Sequence, residues 1–173
     1  MPKLLLFAPC SKVIVSADDQ TVTLVALVDG VNAPSGSSVA DLTWEHLAVW
    51  QAGSDDAGQT FEQMLEIVRP DRTVAAEVRQ EFAMHARTLR VRGSVVGFPS
   101  EIEGEYTLRL SVRNVLDGGV WARVTEYPVT VRHITGPTPE APPQPEPSPP
   151  PASPARRRRT SPETGAPLRR RSR

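Results

Sequence analysis

The chain has 173 residues, with 20 basic and 20 acidic side chains and a formal net charge of zero. This length gives room for one domain, and no apolar run approaches the roughly 20 residues that a membrane-spanning helix needs. Cys10 is the only cysteine, which excludes an intramolecular disulfide, so nothing indicates an oxidising compartment. We therefore expect a soluble cytoplasmic protein.

Strands are predicted along most of residues 3–133, because apolar and polar residues alternate there. Leu4–Phe7 is too short for the apolar segment of a signal peptide, which needs about 7–15 residues, and is predicted to be the first strand. Val13–Val15 is predicted to be a short second strand. Val22–Val28 is rich in β-branched residues and apolar on both faces, which favours a central position in a sheet.

The middle of the chain continues the pattern. Four further strands are predicted at Trp44–Gln51, Phe61–Val68, Thr73–Met84 and Thr88–Phe98. The third of these also has Val74, Val78 and Phe82 at the spacing of one helix face, and the surrounding strands decide the prediction for a strand. Turns or loops are predicted at Asp18–Gln20, Asn32–Ser38, Gly53–Gly58, Pro70–Asp71 and Asp117–Gly119.

The clearest alternation lies at Tyr106–Arg113. Tyr106, Leu108, Leu110 and Val112 fall on one face there, as in a half-buried strand. Val120–His133 is predicted to form the last strands. Pro128 lacks a backbone N–H, so its strand is predicted to be an edge or to be bulged at that residue.

The segment Glu103–Leu108 resembles the tyrosine corner of immunoglobulin-like domains. Gly104 precedes Tyr106, and a core residue, Leu108, follows two positions later. Because Leu108 is not a cysteine, the resemblance is to cysteine-free sandwiches. With the strand spacing, it predicts an all-β protein: an immunoglobulin-like antiparallel β-sandwich of about seven to nine strands.

A second resemblance covers roughly residues 3–133. The segments Leu5–Cys10, Trp44–Trp50, Gly97–Pro99 and Gly104–Leu110 are together similar to a family of small bacterial proteins of unknown function. That resemblance implies a β-sandwich and a bacterial origin, and it implies no reaction.

The composition changes after Ile134. Residues 1–134 have two lysines, ten arginines and seventeen acidic residues, a net charge of −5. Residues 135–173 have eight arginines, three glutamates and twelve of the eighteen prolines, a net charge of +5. We predict a sandwich domain over 1–134 and a disordered tail over 135–173, since proline lacks a backbone donor and fixes φ.

Arginine clusters are the strongest compositional signal in this tail. They comprise Arg156, Arg157, Arg158, Arg159, Arg169, Arg170, Arg171 and Arg173. No aromatic residue lies between them, so base stacking is not indicated. We expect weak, salt-dependent binding to nucleic acid or another acidic surface, and the alternatives are a solubilising segment or one that binds the acidic domain itself.

The sequence predicts no catalytic, cofactor-binding or metal-binding site. His46, His85 and His133 show no ligand spacing with each other or with Cys10, and the common nucleophile and phosphate-loop motifs are absent. For Cys10 we favour a buried, inert thiol. Two acidic pairs, Asp18–Asp19 and Asp55–Asp56, are typical of solvated turns.

Trp44, His46 and Trp50 share one face of a predicted strand. If exposed, they could anchor a protein partner, and filling the core is the alternative. Trp121 is open to the same two interpretations. The function predicted is therefore a non-catalytic binding or adaptor module with an unknown partner.

The binding surface is predicted to be a sheet face or the end loops Val31–Leu42 and Gly53–Gly58, with the tail as a tether. Two alternatives stay open. One is a hydrolase-like enzyme that uses His46 or His85 with a loop acid, Asp55 or Asp56. The other is a structural subunit of a bacterial or phage-derived assembly that self-associates through edge strands.

Overall fold

The computed structural model describes residues 1–116 and 118–135, so the arginine clusters of the predicted tail, and Asp117 of the predicted hairpin turn, lie outside the described residues. Nine strands form the regular structure of this part of the chain, as predicted. They are β1 (Lys3–Val15), β2 (Val22–Leu27), β3 (Gly30–Pro34), β4 (Val39–Gln51), β5 (Thr60–Val68), β6 (Val74–Ala83), β7 (Thr88–Pro99), β8 (Gly104–Asn114) and β9 (Ala122–Ile134). Within the described ranges there is no helix long and apolar enough to cross a membrane.

The strands form two sheets that pack face to face. Sheet A has the order β2–β1–β4–β7, and sheet B has the order β3–β9–β8–β5–β6. All pairs are antiparallel except β3 with β9. The chain crosses between sheets so that β4 pairs with β7 while β5 pairs with β8, which is the interlocked arrangement of an immunoglobulin-like sandwich.

The core lies between the sheets and is lined by alternate residues of β8 and β4. Tyr106, Leu108 and Leu110 of β8 are fully buried, as the alternation predicts. The Ile102 N–H donates to the hydroxyl oxygen of Tyr106 at 3.3 Å, which closes the predicted tyrosine corner. Leu108 stands in the core where antibody domains have a cysteine, so packing replaces the disulfide in this sandwich.

The N-terminal strands differ most from the prediction. Val13–Val15 is not a separate strand but the end of β1, whose first part pairs with β4 and whose last part pairs with β2. The predicted central position of β2 is wrong, because β2 is an edge strand that pairs only with β1. Its apolar side chains are consequently exposed, with Leu27 at 54% and Val25 at 39%.

The short strand β3 falls largely in the predicted loop Asn32–Ser38. Val31 and Ala33 alternate into the core, and the strand runs parallel to the end of β9. Gly30 and Pro34 at its ends are typical loop residues, so the sequence pattern does not predict this five-residue strand.

Pro128 lies at a local edge of β9, which is one of the two predicted possibilities. β9 has β8 on one side, but β3 covers its other side only from Thr130 to Ile134. Pro128 therefore lies where β9 is locally an edge, so its missing N–H interrupts no pairing with β3. The register shift in β9 lies between Arg123 and Thr125 instead.

The ambiguous segment β6 is a strand, paired with β5 from Thr60–Ala83 to Val68–Val74. The turn that joins them contains Arg72 with φ of 71°, a left-handed conformation that costs a side-chain-bearing residue about 1–2 kcal/mol. We expect Arg72→Gly to raise the free energy of unfolding by about 0.5 kcal/mol, because part of that relief is offset by the greater freedom of glycine in the unfolded chain. Urea denaturation measures the change.

The neighbouring Asp71→Gly variant is the control for this prediction. The Asp71 carboxylate accepts hydrogen bonds from the Thr73 N–H at 2.9 Å and from its hydroxyl at 2.6 Å. Glycine at position 71 should therefore lower stability, whereas glycine at position 72 should raise it. Equal losses at both positions would mean that the turn does not hold Arg72 in the left-handed region.

Candidate functional site

The three residues predicted to contact a partner lie in the core. Trp44 and Trp50 have no exposed surface, and His46 is 1% exposed. The Trp50 indole N–H donates to Gln63 Oε1 at 3.0 Å, and the Trp44 indole N–H donates to the Gly97 carbonyl at 3.2 Å. The structure thus corrects the partner-binding interpretation, because an aromatic anchor needs exposed rings and these fill the space between the sheets.

His46 occupies an apolar site within this core. Its ring centroid lies 6.3 Å from that of Phe7 and 6.4 Å from that of Trp44. Its Nδ1 atom has no hydrogen-bond partner among the described residues. Burial lowers the pKa of His46 to about 4, so the imidazole is neutral near pH 7.

The acid that would serve an enzyme is engaged elsewhere. Asp56 is 3% exposed, and its carboxylate accepts hydrogen bonds from the Met1 ammonium at 2.8 Å and the Gly53 N–H at 2.7 Å. Burial by itself would raise the pKa of Asp56, and these two donors outweigh it, so the pKa is lowered. The polar contacts of the Asp56 carboxylate are therefore with the N-terminus and its own loop, and neither His46 nor His85 is among them.

His85 is exposed and lines an open cavity of about 460 Å³. The wall beside it is formed by Met84, Arg87 and the glycines of the β4–β5 loop. Neither Asp55 nor Asp56 lines this cavity, although the neighbouring Gly53 and Ala57 do.

The described residues also offer little for metal or thiol chemistry. No group of three or more His, Cys, Asp or Glu side chains in residues 1–116 and 118–135 could hold a metal ion. Cys10 is fully buried, and burial raises the pKa of its thiol, which is the environment of an unreactive cysteine.

Three connections meet at one end of the sandwich, which we call the loop end: 52–59 between β4 and β5, 84–87 between β6 and β7, and 115–121 between β8 and β9. Backbone hydrogen bonds hold them in place. The Gly58 N–H donates to the Met84 carbonyl oxygen at 2.9 Å, and the Ala52 N–H donates to the Arg87 carbonyl oxygen at 2.9 Å, so the first two connections are joined. The Val115 N–H donates to the carbonyl oxygen of Thr60, the first residue of β5, at 3.1 Å. The predicted loop Gly53–Gly58 belongs to this end.

The other predicted loop lies elsewhere. Val31–Leu42 consists mainly of β3 and the start of β4, and only the four residues 35–38 connect the two strands. This connection lies at the start of β4, whereas the loop end lies where β4 finishes. Most of the predicted loop Val31–Leu42 is therefore strand, and its part in binding stays a prediction.

The exposed apolar surface of the loop end is carried by the β8–β9 connection. Leu116 is 77% exposed, Val120 is 90% exposed and Val115 is 36% exposed. From the sequence this segment is predicted only to be a hairpin turn. Its three large apolar residues could have indicated an exposed apolar surface, because turns favour polar residues and glycine.

Trp121 is the one tryptophan that reaches the surface. The guanidinium carbon of Arg113 lies 4.5 Å from its ring centroid, and that of Arg79 lies 5.8 Å away. Arg113 also forms an ion pair with Glu62 at 2.7 Å, which fixes it beside the ring. The result is an ordered aromatic and cationic surface adjoining Val120.

Comparison with known proteins gives likenesses to solved structures and no assigned activity. The chain matches no protein-family model and no curated protein. It is similar to a solved immunoglobulin-like protein from Pseudomonas aeruginosa, with 17% identity, 76% of this chain and 97% of that chain covered, and a TM-score of 0.33. At that score the fold assignment rests on the strand order and the tyrosine corner. The resemblance to a family of uncharacterised bacterial proteins stays a prediction.

Proposed function

We propose that this protein is a non-catalytic binding module that contacts a protein partner through its loop end. The observation that carries the proposal is the exposure of Leu116 and Val120 beside the Trp121 ring and its two arginines. Aromatic residues and arginine are enriched at interfaces, where a central apolar group is surrounded by polar contacts. An apolar group of this kind at the loop end of an immunoglobulin-like sandwich favours recognition over catalysis.

The geometry of the sandwich also supports this surface. In variable immunoglobulin domains the loops of one end form the binding site, held by the strands beneath them. Here the hydrogen bonds from Gly58 and Ala52 join the connections 52–59 and 84–87, and the Val115 N–H anchors the third connection to Thr60 at the start of β5. A surface that is already ordered loses less conformational entropy when a partner binds.

The tail adds an electrostatic part to the proposal. Residues 156–173 contain eight arginines and one glutamate, a net charge of +7. We propose that this segment tethers the module weakly to nucleic acid or another anionic surface, as its charge density favours. A cytoplasmic location and a bacterial origin stay predictions with it.

Affinity capture from the native host tests both parts. The full chain and a chain ending at Ile134 are each washed at low and high salt, beside a full chain carrying Leu116→Asp and Val120→Asp. We expect a specific protein to stay bound to the first two chains at high salt and to be lost from the double variant, because aspartate places charge in the apolar centre. Contacts made by the tail should disappear with high salt or with truncation.

A matched substitution controls for added charge. Val96 is 80% exposed on β7, away from the loop end, so Val96→Asp should leave the specific protein bound. Retention by the Leu116 and Val120 double variant would move the partner site off the loop end. Loss with Val96→Asp alone would place it on sheet A.

A further inference from the structure

The second half of β1 and the whole of β2 form a hairpin that is separate from the rest of sheet A. β1 pairs with β4 only as far as Cys10, which lies opposite Glu45, and from Cys10 to Val15 it pairs with β2 instead. Among the described strands β2 has no other partner. An isolated two-stranded hairpin is at best marginally stable in water, so residues 11–27 depend on contacts with the rest of the domain. We call residues 11–27 the flap.

The flap lies across the outer face of sheet A and buries a small apolar cluster there. Val13 is buried against Cys10 and Leu47, and Leu47 points to the outer face because it alternates with the core residues of β4. Val22 and Leu24 of β2 are only partly buried against this cluster. The cluster has three buried residues, whereas the core between the sheets has twenty. Closure of the flap therefore adds little to the apolar burial of the domain.

A groove remains between the flap and the sheet. Its volume is about 460 Å³, and its walls include Val22 and Leu24 of the flap and Leu6, Val49 and Arg90 of sheet A. Side chains that border a groove lack packing partners on one side, so they contribute less dispersion energy than those of a filled core. The flap thus covers the sheet incompletely.

Two polar contacts hold the flap against the sheet. Glu45 Oε2 accepts a hydrogen bond from the Val13 N–H at 2.6 Å, and Arg92 of β7 fixes the same carboxylate through an ion pair at 2.7 Å. Nearer the turn of the flap, Arg90 of β7 donates to the Gln20 carbonyl oxygen at 2.6 Å. The first contact is the stronger kind, because its acceptor is charged.

The backbone of the flap is strained on both sides of β2. Gln20, before the strand, has a φ of 57°, and Ala26, near its end, has a φ of 46°. Left-handed backbone is unfavourable for residues that carry a side chain. Both residues can relax when the flap leaves the sheet, so the strain favours the open state.

We propose that the flap opens as a unit while both sheets stay folded, and that Glu45 is the latch that sets how often it opens. Local openings of this kind involve contiguous segments with few buried apolar contacts, and they need less free energy than global unfolding. Opening uncovers Leu47 and the thiol of Cys10, the only cysteine of the chain. The motion requires no partner, so it is independent of the proposed function.

The buried thiol of Cys10 gives a native probe of the opening. The full wild-type chain is treated with an aromatic disulfide reagent that releases a coloured thiolate, and the rate is divided by that of a peptide of residues 7–13. We expect the resulting opening constant to exceed the constant for global unfolding, measured with urea and tryptophan fluorescence, by about 100-fold or more. Its dependence on urea should also be weaker, because that dependence scales with the surface exposed. Equal constants would show that Cys10 is reached only by global unfolding, and would overturn the proposal.

Amide hydrogen exchange on the same chain defines the segment that opens. We expect the hydrogen-bonded amides of β2 and of Val13–Val15 to share the opening constant found for Cys10. The amides of β8 should exchange only through global unfolding, because β8 has a partner on each side. Fast labelling of Cys10 while the β2 amides stay as protected as those of β8 would confine the motion to Cys10 and refute a flap.

The latch is tested with Glu45→Ala. This change should raise the opening constant about tenfold or more in both measurements, because it removes the charged acceptor of the Val13 N–H. Faster labelling of Cys10 without faster exchange of β2 would mean that the missing side chain merely uncovers the thiol. That result, or an unchanged opening constant, would exclude Glu45 as the latch.

Glu66→Ala is the matched control. The Glu66 side chain is 14% exposed, against 12% for Glu45, and it forms its ion pair with Arg109 on sheet B. Its removal should leave the opening constant of the flap unchanged. Equal increases in the two variants would indicate a general loss of stability and would contradict the latch.

Discussion

The Gly93→Ala variant is expected to lose about 3 kcal/mol of unfolding free energy, the upper part of the usual range for overpacking a core. Gly93 of β7 lies directly opposite His46 of β4. A Cβ at position 93 would overlap the Cε1 atom of the His46 ring and lie 2.8 Å from its Nε2. The ring has little freedom to move away, because Phe7 and Trp44 lie beside it. Urea denaturation followed by tryptophan fluorescence measures the loss.

A double-mutant cycle separates this overlap from the intrinsic effect of alanine. In a His46→Ala background the added methyl group has space, so Gly93→Ala should cost less than about 1 kcal/mol there. Gly30→Ala is a second control in a strand, since a Cβ there meets only the Thr130 carbonyl oxygen at 3.8 Å. The same 3 kcal/mol loss without the imidazole would show that the backbone of β7, rather than His46, excludes the side chain.

Local alternation predicts the strands of this fold well and their neighbours poorly. The burial pattern of β8 can be predicted from its own residues, because alternate side chains of a strand point to the same face. The position of β2 does not follow, because apolar residues on both faces are typical of a central strand, whereas β2 is an edge strand that pairs only with β1. β3 is missed for a related reason: its burial comes from the parallel pairing with β9, about 100 residues later.

The candidate site shows the same division between local and distant information. The shared face of Trp44, His46 and Trp50 is predicted correctly, and whether that face is buried depends on the opposite sheet. Gln63, which accepts from the Trp50 indole, lies on β5 of that sheet. The role of Trp121 depends on Arg79 and Arg113, which no sequence spacing connects to it.

Acidification between pH 6.5 and pH 4 is expected to cost the domain about 3 kcal/mol through His46 alone. The pKa of His46 falls from its ordinary 6.5 to about 4 in the folded chain, because burial disfavours the imidazolium. Between these values the unfolded chain binds a proton at His46 and the folded chain does not, so stability decreases as the pH decreases. Above pH 6.5 both states are neutral at this residue, and its full contribution is present.

Denaturant unfolding at several pH values, on the wild type and on His46→Leu, measures this contribution. Carboxylates also titrate toward the low end of the window, so the difference between the two pH profiles isolates the imidazole. His85→Ala is the matched control, because it removes an exposed histidine and leaves the core imidazole in place. If the His46→Leu profile fell as steeply as that of the wild type, the core would have to accept the imidazolium. The protonated Nδ1 would then need a hydrogen-bond acceptor, and the described residues place none beside it.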